Sequence, residues 1–183
     1  LCRCALPPDT WQALRSEADA VLGPVDSASA IEASVLPSLD VASRVMRETL
    51  RLHPAGVISP REAAVDVEVG GHTIRKGTLI LWSAHLAGRD PSAWPDPESF
   101  DPDRFVDPDP DQKALADIAW VPFGRGARNC IGFALAQMEL TLIIARMAQH
   151  VDLTTPATQV PGPVGMVVNR PDGGVPLDVS IRA

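Results

Sequence analysis

One stretch constrains the fold more than any other. Residues 121–140, V-P-F-G-R-G-A-R-N-C-I-G-F-A-L-A-Q-M-E-L, form a glycine-broken loop that ends in a single cysteine and runs into a long apolar segment. Pro122, Gly124 and Gly126 interrupt any regular element ahead of Cys130, and glycine supplies the positive φ that a tight turn or bulge demands. Such a loop lets backbone come close to a flat partner. From Ile131 onward apolar residues fall on nearly every face of a helix, the pattern of an element enclosed in a core. Cys130 is therefore expected at a helix N-terminus, where unpaired N–H groups and the helix dipole favour an anion. Thiolate is the expected resting form, and thiolate is a soft metal ligand. The competing fate of a free cysteine is to be a small buried hydrophobe.

Two earlier segments place charge where charge needs a partner. Residues 36–54 read as a helix stopped by Pro54, with Glu48 and Arg51 three apart on one face. On an exposed helix that pair is commonplace and contributes little. Residues 100–105, F-D-P-D-R-F, supply a further guanidinium in Arg104.

Phe123, Gly124, Gly126, Arg128, Cys130 and Gly132 fill the pattern F-G-x-G-x-R-x-C-x-G, which resembles the haem-binding signature of the cytochrome P450 family. E-T-L-R, with Glu48 and Arg51, resembles that family's Glu-x-x-Arg helix, and P-D-R-F, with Arg104, resembles its Pro-x-Arg-Phe segment. The resemblance covers nearly the whole chain, in the family's order. It implies that Cys130 is the axial thiolate of a haem b iron, donating electron density that favours O–O cleavage. It implies that Arg128 pairs with a haem propionate, as a planar guanidinium suits a carboxylate. Phe123 would lie against the porphyrin and shield the sulfur, and Gly132 would let the helix pass close to the ring. Arg61 matches a position that reaches a second propionate, and Val57 and Ile58 match a substrate-lining segment. Glu48, Arg51 and Arg104 would form a buried triad holding the segment ahead of Cys130, a structural role outside the chemistry.

The remaining pattern is that of an α+β protein, mainly helical with small β-sheets. Residues 10–22 have apolar positions at helical spacing, a capping Asp9 or Thr10 and a terminating Gly23. Val65, Val67 and Val69 alternate with acids ahead of a Gly70-Gly71 turn, and residues 78–82 read as another strand. Residues 85–105 are Pro- and Asp-rich and read as an irregular meander. The tail, residues 161–183, reads as two strands around a D-G-G turn and resembles the family's C-terminal hairpin, where Met166 or Val167 would touch substrate. The four histidines read as packed or surface residues.

A net charge of −7 does not support a nucleic-acid footprint, which needs a basic face. The long apolar helix carries Gln137, Glu139 and Arg146, which a lipid-spanning segment rarely does. Three cysteines, Cys2, Cys4 and Cys130, suit neither a zinc site nor a disulfide framework, and an intracellular, cytoplasmic setting is expected.

The family's oxygen-activating helix has no match in the chain, so residues 1–183 are expected to be the C-terminal, proximal portion of one domain. The function implied is a monooxygenase that inserts one atom of O2 into a small, apolar organic substrate. Its electrons would come from a redox partner, a ferredoxin or a flavoprotein reductase, and Arg125 in the Cys130 loop is expected to meet an acidic donor. A haem-binding protein without oxygen chemistry, such as a sensor, and a truncated product without haem remain alternatives that share this proximal sequence.

Overall fold

The computed structural model of the protein describes residues 1–6, 8–25, 31–165 and 168–182; Met166 and Val167 lie outside the described residues. A helical layer forms the core. Helix α1 (Cys2–Ala5) leads into α2 (Pro8–Leu22), a three-residue-per-turn segment covers Ala33–Ser38, and α3 (Asp40–Leu52) follows. The helix expected over residues 36–54 thus begins later, at Asp40. Pro37 lacks the N–H that an α-helical interior needs, and the tighter 3-10 turn holds it instead.

Helix α3 has no side-chain cap of its own. Glu17 of α2 supplies one from outside, accepting the N–H groups of Val41 at 2.6 Å and Ala42 at 2.9 Å. An anion there satisfies two orphan donors and complements the helix dipole.

Helix α6 (Phe133–His150) packs against α2 and α3. Trp11, Leu14 and Ala18 of α2, Leu39, Ala42 and Val45, Ala145 and Ala148 of α6, and Leu153 form the core. Burial of α6 is confined to Thr141, Ala145, Ala148 and Gln149, while Ile131, Phe133, Leu135 and Ile143 are exposed. The all-round enclosure expected from its composition is therefore absent among the described residues: α2, α3 and the Ala33–Ser38 turn pack against part of it, and Phe133, Leu135 and Ile143 stay exposed. Gln149 is fully buried and donates to the Gly23 carbonyl at 2.8 Å, tying α6 to the end of α2.

Eight short strands make four two-stranded antiparallel sheets among the described residues. Strand β1 (Ser59–Glu62) pairs with β4 (Leu79–Trp82), and β2 (Val67–Val69) pairs with β3 (His72–Ile74) across the Gly70-Gly71 turn. Val65 falls ahead of the hairpin. The meander is less irregular than its composition implies, holding α4 (Ala84–Ala87) and a 3-10 turn at Pro102–Phe105. After it, α5 (Pro110–Ala119) is capped by Asp109, whose carboxylate accepts the Asp111 and Gln112 N–H groups.

In the tail, β5 (Val151–Thr154) pairs with β8 (Asp178–Ile181), and β6 (Pro163–Val164) pairs with β7 (Arg170–Pro171). The expected pairing around D-G-G does not form: the turn joins β7 to β8, strands of two different sheets. Arg182 locks this end, donating to the carbonyls of Ala148 and Gln149 and pairing with Asp19 at 2.8 Å. The Arg182 hydrogen bond holds the Asp19 carboxyl below its ordinary range.

Candidate functional site

The site begins with a charge network on α3. Glu48 and Arg51 are both inaccessible to solvent, and Arg104 is nearly so. Arg51 donates through Nε and Nη2 to the two Glu48 oxygens, each at 2.7 Å. Its other N–H groups reach the carbonyls of Gly88 (2.6 Å), Pro97 (2.6 Å) and Ser99 (2.8 Å). All five donors of the guanidinium fork are thereby used. Glu48 Oε1 also accepts Arg104 Nε at 2.9 Å and the Asp101 N–H at 2.9 Å. Arg104 donates onward to the carbonyls of Pro95 at 2.9 Å and Ser99 at 3.1 Å. A buried carboxylate between two guanidiniums is costly unless it is well hydrogen-bonded, and here Glu48 accepts four bonds, three of them at Oε1. The carbonyls come from the meander, so α3 fixes the path of residues 88–105. Gly88 is part of this fit: a Cβ there would collide with the Arg51 carbonyl.

From the meander the chain passes through α5 to the cysteine loop. Gly124 and Gly126 have φ of 76° and 73°, the left-handed region that suits glycine. A Cβ at Gly124 would sit 3.8 Å from the Trp82 ring, so the loop runs close over β4. The Cys130 N–H donates to the Phe123 carbonyl at 2.8 Å, closing the loop on itself. Arg125 and Arg128 are exposed, and Arg125 donates to the Asp117 carbonyl at 2.7 Å.

Cys130 is an exposed free thiol, whereas Cys2 and Cys4 are buried in α1. It does not occupy the first turn of α6: Gly132 caps the helix and Phe133 opens it. The sulfur is thus presented ahead of the helix's amino end. A Cβ at Gly132 would lie 3.9 Å from the Cys130 sulfur, so glycine keeps that side clear.

Arg61 is exposed on β1, its guanidinium 5.7 Å from the Trp82 ring centroid. Together with Trp82, Val121 and Arg125 it lines a cavity of about 220 Å³ beside the loop. Val57 and Ile58 are half-buried after α3; the Val57 carbonyl accepts the Ser83 hydroxyl at 2.8 Å. Among the described residues neither hydrogen-bonds the Cys130 loop.

A sequence model of the family described as cytochrome P450 matches residues 1–175. The chain belongs to the cytochrome P450 family. It is 40% identical over 146 residues to ferruginol synthase of Salvia miltiorrhiza, covering 79% of this chain and 29% of that one. It is 37% identical over 155 residues to corytuberine synthase of Coptis japonica, covering 84% of this chain and 31% of that one. The chain thus spans about a third of the length of the curated relatives it matches.

Membership of the cytochrome P450 family implies a haem held through a cysteine, and the residues present fit that group. The donor chemistry is a single exposed thiol: among the described residues no three His, Cys, Asp or Glu side chains gather as a metal cage. The space beside the sulfur is kept open by Gly132, and the flanking Ile131, Phe133 and Leu135 are exposed apolar groups suited to a porphyrin face or to packed protein. Among the described residues no helix is long and apolar enough to cross a membrane.

Sequence reasoning missed Trp82 and Trp120, which lie against the loop, and Gly88, whose carbonyl accepts from Arg51. Their contacts join residues far apart in the chain, and no local pattern marks them.

Proposed function

We propose that this chain is the proximal portion of a haem-thiolate monooxygenase that inserts one oxygen atom from O2 into a small, apolar organic substrate. The observation that carries the reading is the exposed Cys130 thiol on a glycine-opened loop, presented ahead of α6 in a chain of the cytochrome P450 family. When bound, haem b supplies the oxygen-activating chemistry, with electrons from a ferredoxin or flavoprotein reductase.

The chain's own residues hold and tune that group. Cys130 would hold the haem iron through its sulfur, and its own N–H is already committed to the Phe123 carbonyl, which fixes the backbone from which the sulfur projects. Phe123, Gly124, Gly126 and Gly132 would shape the cradle, and Arg128 and Arg61 would bind the propionates through their guanidinium forks. Glu48, Arg51 and Arg104 hold the meander that leads into the loop. Val57 and Ile58 would line the substrate side.

Expressing residues 1–183 and an upstream-extended protein side by side, reconstituting both with haem and a reductase, and assaying product formation tests this reading. Turnover is expected from the extended protein alone. Comparable turnover by residues 1–183 overturns the assignment of this chain to the proximal portion alone.

A further inference from the structure

Trp120 stands between α5 and the cysteine loop, and its indole reaches back to the helix that carries Glu48. Its Nε1–H donates to the Arg47 carbonyl at 3.0 Å. The Arg47 guanidinium, in turn, lies 5.8 Å from the Trp120 ring centroid and 4.1 Å from that of Phe105. Arg47 is half-buried, and among the described residues its guanidinium has no hydrogen bond or ion pair, so aromatic faces are what hold it. Burial accordingly pulls its pKa below the usual arginine value.

On the other side Trp120 meets Phe123, ring centroids 6.1 Å apart and planes at 59°, and Phe123 meets Phe133 at 6.5 Å and 60°. The Phe123 carbonyl accepts the Cys130 N–H. An unbroken line of contacts therefore runs from α3, one residue before Glu48, to the residue that bears the thiol. Two of the loop's glycines sit at positive φ and carry no side chain that could brace it against its neighbours. A second hydrogen-bond tether, Arg125 to the Asp117 carbonyl, starts from an exposed side chain and ends on α5 rather than on α3.

We propose that Trp120 is a positioning residue for Cys130: its indole fastens the cysteine loop to α3 and so sets the sulfur in register with the Glu48 network. The consequence for haem ligation rests on the proposed role of Cys130 as axial ligand, while the tether itself does not.

The test is amide hydrogen exchange, followed residue by residue in the extended protein, together with the absorption spectrum of its reduced, CO-bound form. Trp120→Phe keeps the ring against Phe123 and Arg47 but removes the N–H donor; Trp120→Ala removes both. One lost hydrogen bond raises local opening about threefold to tenfold. Exchange at the Cys130 amide is therefore expected to rise by that factor in Trp120→Phe and further in Trp120→Ala, while Ala145 in α6 keeps its rate. The thiolate-type CO band is expected to weaken in the same order. Wild-type exchange at Cys130 in Trp120→Phe, or a rise matched at Ala145, overturns the proposal. Should Trp120→Ala fail to fold, Trp120→Phe decides alone. Faster Cys130 exchange in a protein that shows no thiolate-type band even as wild type supports the tether and defeats the ligand reading. A wild-type band with unchanged exchange does the reverse.

Discussion

Replacing Glu48 by alanine in the extended protein removes the one carboxylate that faces both Arg51 and Arg104 inside the fold. Glu48 accepts Arg51 Nε, Arg51 Nη2, Arg104 Nε and the Asp101 N–H, all between 2.7 and 2.9 Å, with no solvent access to either Glu48 or Arg51. Removing one partner of a buried ion pair costs about 3–5 kcal/mol, because the remaining charge stays desolvated. Set against the roughly 5–15 kcal/mol that stabilises an ordinary domain, this is about a fifth of the total or more. The damage is directed: the Asp101 N–H loses its acceptor, and Arg51 and Arg104, which hold the Pro97 and Ser99 carbonyls of the meander, lose the carboxylate that orients them. Glu48→Ala is therefore expected to lower the denaturant midpoint sharply and to abolish stable haem incorporation. Lys113→Ala, which breaks the exposed Lys113–Asp117 pair on α5, serves as the control and is expected to change stability by less than about 1 kcal/mol. Soluble Glu48→Ala protein with full haem content and a midpoint like that of Lys113→Ala would refute the reasoning.

Burial, then Arg3, Arg89 and His85, hold His53 down to a pKa of about 4, against 6.5 for a free histidine. The unfolded chain thus takes up the proton first, so the stability contributed by neutral His53 is full above pH 6.5 and is lost as pH falls toward 4. Urea midpoints at pH 7 and pH 5 are expected to differ less for His53→Gln than for wild type; equal differences would contradict this. Arg125 projects from the proximal loop, and Arg125→Glu is expected to slow reduction by an acidic electron donor several-fold at low salt, with the effect fading as ionic strength rises. A reduction rate indifferent to both would rule out docking at Arg125.

The parts of the site that were legible in the sequence are those whose chemistry is fixed by spacing along the chain. Glu48 and Arg51 share a helix face, and the Cys130 loop announces itself through its glycines. What escaped is non-local. Strand β1, S-P-R-E, has neither alternation nor β-branched residues and exists because Leu79–Trp82 lies beside it. The pairing of β5 with β8 overrides the hairpin that D-G-G suggests. The bond from Trp120 to the Arg47 carbonyl spans 73 residues, beyond any periodicity. Helix α5 is a different kind of omission: Asp109 followed by Pro110 is a cap and first-turn signal present in the sequence itself. The apolar wheel of α6 was legible, but its burial was not, since enclosure depends on elements other than α2 and α3.

The most direct measurement is the absorption spectrum of the reduced, CO-bound form of the extended protein with Cys130 intact and with Cys130 replaced by histidine or alanine. Cys130 is the one exposed cysteine among the described residues, on a loop closed by its own N–H and kept open on the helix side by Gly132. A thiolate-type band is expected from the parent protein and its complete loss in both Cys130→His and Cys130→Ala. An unchanged thiolate-type band in either variant would contradict the assignment of Cys130 as the haem ligand.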